Sequence, residues 1–271
     1  IALHLLGVRK GDEVITTPNS FIASTSVIVH LGAKPVFVDV LDDQNIDPDL
    51  IEKKITSKTK VIMPVHLSGR VCQMDKILKI ANNKKIKIIE DSAQAIGSKY
   101  NKKLSGTFGD IGCFSAHPLK NLNAVGDAGY FITNSKKLYD LATDLKNHGM
   151  TNRNIVKNFG YVSRMDNLQA AVLDYRLKNL PSIIKQRRKN ANLYFKMIDR
   201  NNVYIPEEKK SEYNTYHTFV IQVKKRNQLK KYLKKFNIDT SIHYPIPIHL
   251  QPAAKKLGYK KGDFEKVEKQ S

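Results

Sequence analysis

The feature that most constrains the fold is a regular alternation of β-rich runs and helical segments through residue 91. Branched and aromatic residues dominate the runs, which we predict as strands over Glu13–Thr17, Lys34–Asp39, Lys60–Val65 and Lys85–Asp91. Helical segments lie between them over Ser20–Leu31 and Met74–Asn82, and a third begins at the N-cap Asp47 with Pro48 as its first residue. This alternation is typical of βαβ units and predicts an α/β fold around a mainly parallel sheet.

The pattern changes in the second half of the chain. Between Ser92 and Asn134 it predicts two shorter strands, over Asp110–Phe114 and Gly129–Thr133. Two long helices follow over Ser135–His148 and Met165–Asp199, and we expect Pro181 to kink the second. The last elements are predicted as a strand, a helix and a strand over His217–Val223, Arg226–Phe236 and Ile238–His243. We therefore predict a large domain over residues 1–200 and a small α/β domain over residues 201–271.

Both ends of the sequence have the pattern of helices that continue. Ile1–Val8 is typical of the last turns of a helix, and Phe264–Ser271 of the first turns of another. The sequence is therefore expected to be a piece of a longer chain that lacks residues at both ends.

Several common chemistries lack their signatures here. The sequence contains no GxGxxG after a strand, no GxxxxGK[ST], no HExxH and no GxSxG. Of the eight histidines only His243 and His249 are close in sequence, so we predict no metal site. No apolar run approaches the roughly 20 residues that span a bilayer. Cys72 and Cys113 form no CxxC pair, which favours a reducing, cytoplasmic setting.

The charge balance is unusual. Lysine and arginine total 46 against 25 acidic residues, which gives a formal net charge of +21. Such an excess can indicate an anionic partner such as nucleic acid, a membrane surface or a phosphorylated small molecule. Because the lysines are spread along the whole chain and tryptophan is absent, we predict neither a nucleic-acid nor a membrane partner. A basic nucleic-acid-binding or regulatory protein remains an alternative.

Three features carry chemistry. Asp91 ends a predicted strand, where ligands of open α/β sheets bind, and its carboxylate could hold a protonated ring nitrogen. Lys120 follows another predicted strand, and a lysine whose pKa is lowered can form a Schiff base. Phe21 follows the first strand and could cover a planar ring. Each alone has an ordinary explanation as a turn cap, a solvated lysine or a core aromatic, so the weight lies in their combination.

That combination resembles a known family. The motifs that carry the resemblance are TTPxxF, GAKPVFVDV, DSAQAIG, FSxHPxKN, GDAG, GYxSRMDNLQAA and HYPIPIHLQPA. In this order they are similar to the DegT/DnrJ/EryC1/StrS family of nucleotide-sugar aminotransferases, which depend on pyridoxal 5'-phosphate (PLP), from Ile1 to about Phe264. The resemblance implies a type I PLP-transferase (aspartate aminotransferase-like) fold, with a mostly parallel sheet in a large domain and a small C-terminal α/β domain. It also implies a homodimer with active sites at its interface.

The same resemblance assigns roles to five residues. Lys120 matches the lysine that binds the cofactor covalently and moves protons. Asp91 matches the carboxylate that keeps the pyridine nitrogen protonated, which makes the ring an electron sink. Gln94 matches a residue packed at the polar edge and face of the ring, Phe21 an aromatic beside the ring, and Ser115 a hydroxyl that contacts the cofactor phosphate.

The sequence also departs from the family pattern. Val162 stands where the family often has an asparagine that reaches the phosphate of the neighbouring subunit, which puts that contact between subunits in doubt. A Gly-Thr pair that cups the phosphate would precede Ile1. In the HYPIPIHLQ stretch, the resemblance implies that His243, Tyr244 and His249 bind the substrate.

The expected reaction is the transfer of an amino group, with L-glutamate as donor, to a keto-deoxysugar linked to a nucleoside diphosphate. The stretch Asn121–Gly129 is similar to the NLGALGDAG form of 3-keto-sugar aminotransferases, not to the TTGEGG form of 4-keto enzymes, so amination at position 3 is favoured. An alternative is a PLP- or PMP-dependent sugar dehydratase relative. Such relatives typically replace the lysine, and Lys120 argues against that alternative.

Overall fold

A computed structural model describes all residues, 1–271. Its main sheet has six strands, which we number in chain order as β1 Glu13–Thr16, β2 Lys34–Phe37, β3 Thr59–Ile62, β4 Lys87–Asp91, β5 Ile111–Ser115 and β6 Gly129–Ile132. Their order across the sheet is β2-β1-β3-β4-β5-β6. The first five strands are parallel, and β6 pairs antiparallel with β5. The predicted mainly parallel sheet is confirmed.

Seven α-helices accompany the sheet: α1 Ala2–Leu5, α2 Ala23–His30, α3 Met74–Lys84, α4 Lys136–Leu145, α5 Asn167–Met197, α6 Arg226–Lys235 and α7 Glu265–Gln270. The segment after Asp47 forms only a short 3₁₀ turn, with Asp47 as its N-cap as predicted. Helix α5 runs through Pro181 as one element of 31 residues. A proline in a helix costs about 3 kcal/mol, and the burial of Leu180 and Ile184 on either side of Pro181 offsets that cost.

Successive apolar side chains of the strands point to opposite faces of the sheet and form two apolar layers. On one face of the sheet, Ile15 and Ile62 pack with Met74 and Ile77 of α3. On the other face, Val14, Val61 and Ile89 pack with Ile28 of α2. Both faces of the sheet are therefore covered, as expected for parallel strands joined by helices.

The C-terminal third differs from the prediction. The C-terminal third contains one short strand, Glu212–Tyr213, which pairs antiparallel with Lys99–Tyr100. Neither 217–223 nor 238–243 forms a strand, and the pairing within these two segments is limited to an isolated bridge between Gln222 and Tyr204. A single strand is stable only when its backbone N–H and C=O groups pair with a neighbouring strand. These two segments have no such neighbour, so they stay irregular. Helix α6 forms as expected.

Several contacts attach the C-terminal third to the rest of the chain, among them those of Arg70 and Phe264. Arg70 forms an ion pair with Glu212 and donates to the carbonyls of Pro206 and Glu207 at 3.0 and 2.9 Å. At the far end of the chain, Phe264 packs against Phe37 of β2. None of the helices combines the length and apolar character needed to cross a membrane.

Candidate active site

Three of the predicted site residues lie at one edge of the sheet. Asp91 is the last residue of β4, and Ser115 is the last residue of the neighbouring β5. Phe21 lies in the loop after β1, which also ends at this edge. Because parallel strands present their carboxyl ends together, the topology brings three separate motifs to one place.

Asp91 is oriented by two hydrogen bonds. Its Oδ2 accepts from the Ser24 hydroxyl at 2.7 Å, and its Oδ1 accepts from the Ala93 N–H at 3.1 Å. Ser24 belongs to α2, so the loop after β1 and the end of β4 are tied together through this carboxylate. A carboxylate has about four acceptor positions, so Asp91 keeps capacity for a further donor.

The neighbouring Glu90 has a different environment. Its side chain is fully buried and accepts from His66 Nε2 at 2.9 Å and from the N–H groups of Gly106, Phe108 and Gly109 at 2.6–2.7 Å. Burial raises the pKa of Glu90, but the hydrogen bonds from His66, Gly109 and Gly106 outweigh it and hold the pKa below its usual range. Glu90 thus anchors the 106–109 loop.

Lys120 lies in the loop after β5, and its ammonium has no hydrogen bond or ion pair within the chain. Burial lowers the pKa of Lys120, and the Asp91 carboxylate partly opposes that effect. The loop is held by Ala116, Leu122 and Ala124, which pack against α5. An amine of this kind is suited to nucleophilic chemistry, because a desolvated lysine loses its proton more readily.

Two histidines lie within electrostatic reach of Lys120. His217 has a buried Nδ1 without a partner, and burial, together with the charges of Lys120 and Arg187, lowers its pKa to about 3. Burial and the Lys120 charge also lower the pKa of His243. His217 was not predicted as a site residue because it lies inside an apparent strand, and only the fold brings it beside Lys120.

Gln94 and Tyr244 contact each other. Gln94 Nε2 donates to the Tyr244 hydroxyl at 3.3 Å, and Gln94 Oε1 accepts from the Ser68 N–H at 2.8 Å. The DSAQ motif and the HYP motif, 150 residues apart, therefore meet at one site.

Two further predicted site residues, and Val162 at the position where the family often has asparagine, have fewer contacts. The Ser115 hydroxyl accepts a hydrogen bond from the His117 N–H at 3.3 Å. Phe21 is 61% exposed, so one side of this ring is open to solvent. Val162 is exposed and pairs with Asn147 through an isolated bridge.

The structure places His249 away from these groups. Its side chain is fully buried, binds Glu268 of α7 at 3.0 Å and lies edge-on to Phe264. The expectation that His249 binds substrate is therefore wrong for this structure. The HYPIPIHLQ stretch turns into a short 3₁₀ helix at Ile248, which directs His249 into the C-terminal core instead of the site.

Comparisons with known proteins agree with this geometry. The model of the DegT/DnrJ/EryC1/StrS aminotransferase family matches residues 1–271. A pleiotropic regulatory protein of Geobacillus stearothermophilus is 42% identical over 99% of this chain and 73% of its own length. The dTDP-3-amino-3,6-dideoxy-alpha-D-galactopyranose transaminase of Aneurinibacillus thermoaerophilus is 44% identical over 93% of this chain and 70% of its own length.

Solved structures show the same similarity. The structure of S. venezuelae DesV in complex with a ketimine intermediate superposes with a TM-score of 0.96 at 34% identity, covering 99% of this chain and 73% of DesV. The PLP form of the Streptococcus pneumoniae sugar aminotransferase Spr1654 superposes with a TM-score of 0.92 at 29% identity, covering 98% of this chain and 75% of that one.

Proposed function

The chain belongs to the DegT/DnrJ/EryC1/StrS aminotransferase family, and we propose that it transfers an amino group to a keto group of a sugar linked to a nucleoside diphosphate. The observation that carries this proposal is the half-buried, unpaired amine of Lys120 in the same site as the Asp91 carboxylate. The relative from Aneurinibacillus thermoaerophilus is named for a dTDP-linked amino sugar, which supports the same class of substrate here.

The residues of the site fit PLP, the cofactor of this family. Lys120 has a free amine for covalent attachment, and Asp91 has a free acceptor position for a ring nitrogen. The oxygen and the nitrogen of the Asn121 side-chain amide are buried without a partner in the chain, so both can form hydrogen bonds to a ligand beside Lys120. We assign Gln94 and Phe21 to the ring, and Ser115 to the phosphate. When bound, the cofactor supplies an electron sink for proton removal next to nitrogen.

The residues of the chain then divide the work. The Asp91 carboxylate would accept a hydrogen bond from the protonated ring nitrogen of the cofactor, and Ser24 and the Ala93 N–H keep the carboxylate in place. Lys120 Nζ accepts and returns the proton that moves during the reaction. Its lowered pKa suits this task, because a general base is most effective when its pKa lies near the working pH.

We propose amination at position 3 of the sugar. The stretch Asn121–Gly129 begins directly after Lys120, so its path controls which carbonyl reaches the cofactor. The 3-amino product in the name of the transaminase relative supports this position. Incubation with matched 3-keto and 4-keto nucleotide sugars, followed by NMR of the product, tests the assignment. Exclusive amination at position 4 would overturn it.

We propose L-glutamate as the amino donor. The electrostatic basis is Arg187, whose guanidinium lies within electrostatic reach of His217 and can pair with a carboxylate of the donor. A screen of amino acids in the first half-reaction, followed by loss of PLP absorbance, tests this choice. A preference for an amino acid with an apolar side chain would contradict it.

We also propose that a second copy of the chain completes the site. Large apolar side chains are exposed in the Lys120 loop, in the segment before α5 and on α5 itself, among them Leu119 at 77%, Phe159 at 98% and Tyr175 at 70%. Exposed large apolar side chains in such number are typical of an interface. Sedimentation of the wild type and of Tyr175→Glu tests it, and a monomeric wild type with full activity would refute it.

A cytoplasmic location is part of the same proposal. Cys72 and Cys113 are both free, as expected of a protein kept under reducing conditions. Fractionation of cells that produce the protein tests this, and recovery in an extracellular fraction would contradict it.

The regulatory alternative has one observation in its favour beyond the charge of +21, the name of the Geobacillus relative. The two functions are separated by titrating duplex DNA at moderate salt with the PLP-loaded protein, since charge-driven binding weakens steeply with salt. Binding that survives moderate salt, without amination of any keto sugar, would favour regulation.

A further inference from the structure

A turn in the large domain fixes the orientation of Gln94. Ser68 has the left-handed φ of 57°, and its N–H donates to Gln94 Oε1 at 2.8 Å. A backbone N–H can only donate, so this contact requires the amide oxygen of Gln94 to face Ser68. The amide nitrogen must then face the other way.

The amide nitrogen of Gln94 in turn determines what Tyr244 can do. Nε2 donates to the Tyr244 hydroxyl, the one hydrogen bond which that hydroxyl makes in the chain. Because the phenol oxygen accepts here, its own hydrogen remains available for another acceptor. Burial raises the pKa of Tyr244, although the Gln94 hydrogen bond lowers it in part, so the phenol keeps its proton at neutral pH.

The turn is held by the C-terminal third of the chain. The Gly69 carbonyl accepts from the Thr215 N–H at 3.1 Å, and the Thr218 hydroxyl donates to Ser68 Oγ at 2.9 Å. A Cβ at Gly69 would lie 2.7 Å from the Tyr216 nitrogen, so the two segments approach as closely as a glycine allows. The position of the Ser68 N–H is therefore determined by packing from both sides.

We propose that Ser68 is a positioning residue, whose backbone N–H orients Gln94 so that Tyr244 donates a hydrogen bond to an acceptor oxygen of the bound sugar nucleotide. This inference rests on the proposed function and adds to it which partner donates in one hydrogen bond between protein and substrate. The acceptor is an oxygen of the sugar or of the diphosphate, since both present lone pairs and neither must donate. A ligand group that can only donate, such as an ammonium, is excluded from this position.

The first test determines the direction of the hydrogen bond between Gln94 and Tyr244 and needs no measurement of enzyme activity. The protein is labelled with 3-fluorotyrosine, the Tyr244 resonance is assigned with Tyr244→Phe, and its pKa is measured by ¹⁹F NMR. Gln94→Met removes the donor to the phenol oxygen, so we expect the pKa of Tyr244 to rise. Thr218→Val removes only the side-chain contact to Ser68 Oγ, while the Thr215 N–H and the close packing at Gly69 still hold the turn, so the pKa of Tyr244 is expected to stay unchanged. If the pKa of Tyr244 were lower in Gln94→Met than in the wild type, Tyr244 would be the donor to Gln94, and the proposal would be overturned.

The second test reads the ligand contact. The PLP-loaded enzyme is mixed with dTDP-3-amino-3,6-dideoxy-galactose, and the cofactor absorbance gives the apparent affinity and the limiting rate. Loss of one neutral hydrogen bond weakens affinity by about tenfold. We expect that loss in Tyr244→Phe, with a limiting rate close to the wild type, and no loss in Thr218→Val. Gln94→Glu should weaken affinity similarly, because its carboxylate captures the phenol hydrogen, and adding Tyr244→Phe to it should cost nothing more.

Binding of dTDP alone identifies the acceptor. If Tyr244→Phe weakens dTDP as much as the amino sugar nucleotide, the acceptor is a diphosphate oxygen; if only the sugar nucleotide is weakened, it is a sugar oxygen. Unchanged affinity for both would overturn the proposal. If the wild type converts no sugar nucleotide, the proposed function fails, while the ¹⁹F titration still decides the polarity of Tyr244.

Discussion

Replacing Asp91 with asparagine should separate catalysis from stability. Asparagine has nearly the shape of aspartate, and both contacts of the carboxylate can be kept. Its Oδ1 can accept from the Ala93 N–H, and its Nδ2 can donate to the Ser24 hydroxyl, which turns to accept. We therefore expect the free energy of unfolding to change by no more than about 1 kcal/mol.

The rate should change far more. A neutral amide cannot hold the ring nitrogen protonated, so charge that develops in the reaction loses its stabilisation. Loss of one such preorganised group commonly costs about 10²–10³-fold in rate, equivalent to about 3–4 kcal/mol. The expected loss in rate for Asp91→Asn thus exceeds the expected loss in stability several-fold.

The assay compares three proteins loaded with PLP. Single-turnover absorbance with L-glutamate gives the rate, and urea unfolding gives the stability. Ser24→Ala, which removes only one of the two contacts of Asp91, serves as the matched control and should lose less than about tenfold in rate. A wild-type rate of turnover in Asp91→Asn would refute the assignment of Asp91 to the ring nitrogen. A decrease in the free energy of unfolding as large as the free-energy equivalent of the rate loss would show that the role of Asp91 is structural.

Other contacts of the structure give four further predictions. Borohydride reduction of the PLP-loaded protein should place the pyridoxyl group on Lys120, and peptide mapping that finds it on another lysine would remove that residue from its role. Glu90→Gln should lose about 3–5 kcal/mol in urea unfolding, because one buried amide cannot accept from four donors; a loss below 1 kcal/mol would contradict this. The stability that Glu90 contributes through its lowered pKa is fully present above the ordinary glutamate pKa of about 4.3 and is lost as the pH falls through the lower folded value, so acid unfolding should be less steep in Glu90→Gln. Arg70→Met should free residues 206–213, which limited proteolysis would detect as new cleavage there.

Local sequence patterns were sufficient for the parallel part of the fold. The β-branched runs end at or close to the observed strands, and Asp91 closes β4 as predicted. The resemblance to a family added the identity of the lysine, which composition alone could not single out among so many lysines. These features are local: each depends on the residues within one strand or one loop.

The errors lie where structure depends on distant partners. Residues 217–223 alternate like a strand, but the fold gives them no ladder and uses them to present His217 beside Lys120. The burial of His249 likewise depends on Glu268, nineteen residues later.

Glu90 and Asp91 show why a structure is needed to assign function even to adjacent carboxylates. Successive residues of a strand point to opposite faces, so one of the two had to face away from the site. The resemblance to the family indicated Asp91 as the residue that faces it, but the alternation alone does not say which. The structure decides by the acceptor positions already filled. Glu90 accepts from four protein donors and has no capacity left for a ligand. Asp91 accepts from only two donors. Its charge reaches the unpaired amine of Lys120. A buried polar group whose hydrogen bonds are complete stabilises the fold, whereas one that keeps free positions at the end of a parallel strand is available for chemistry.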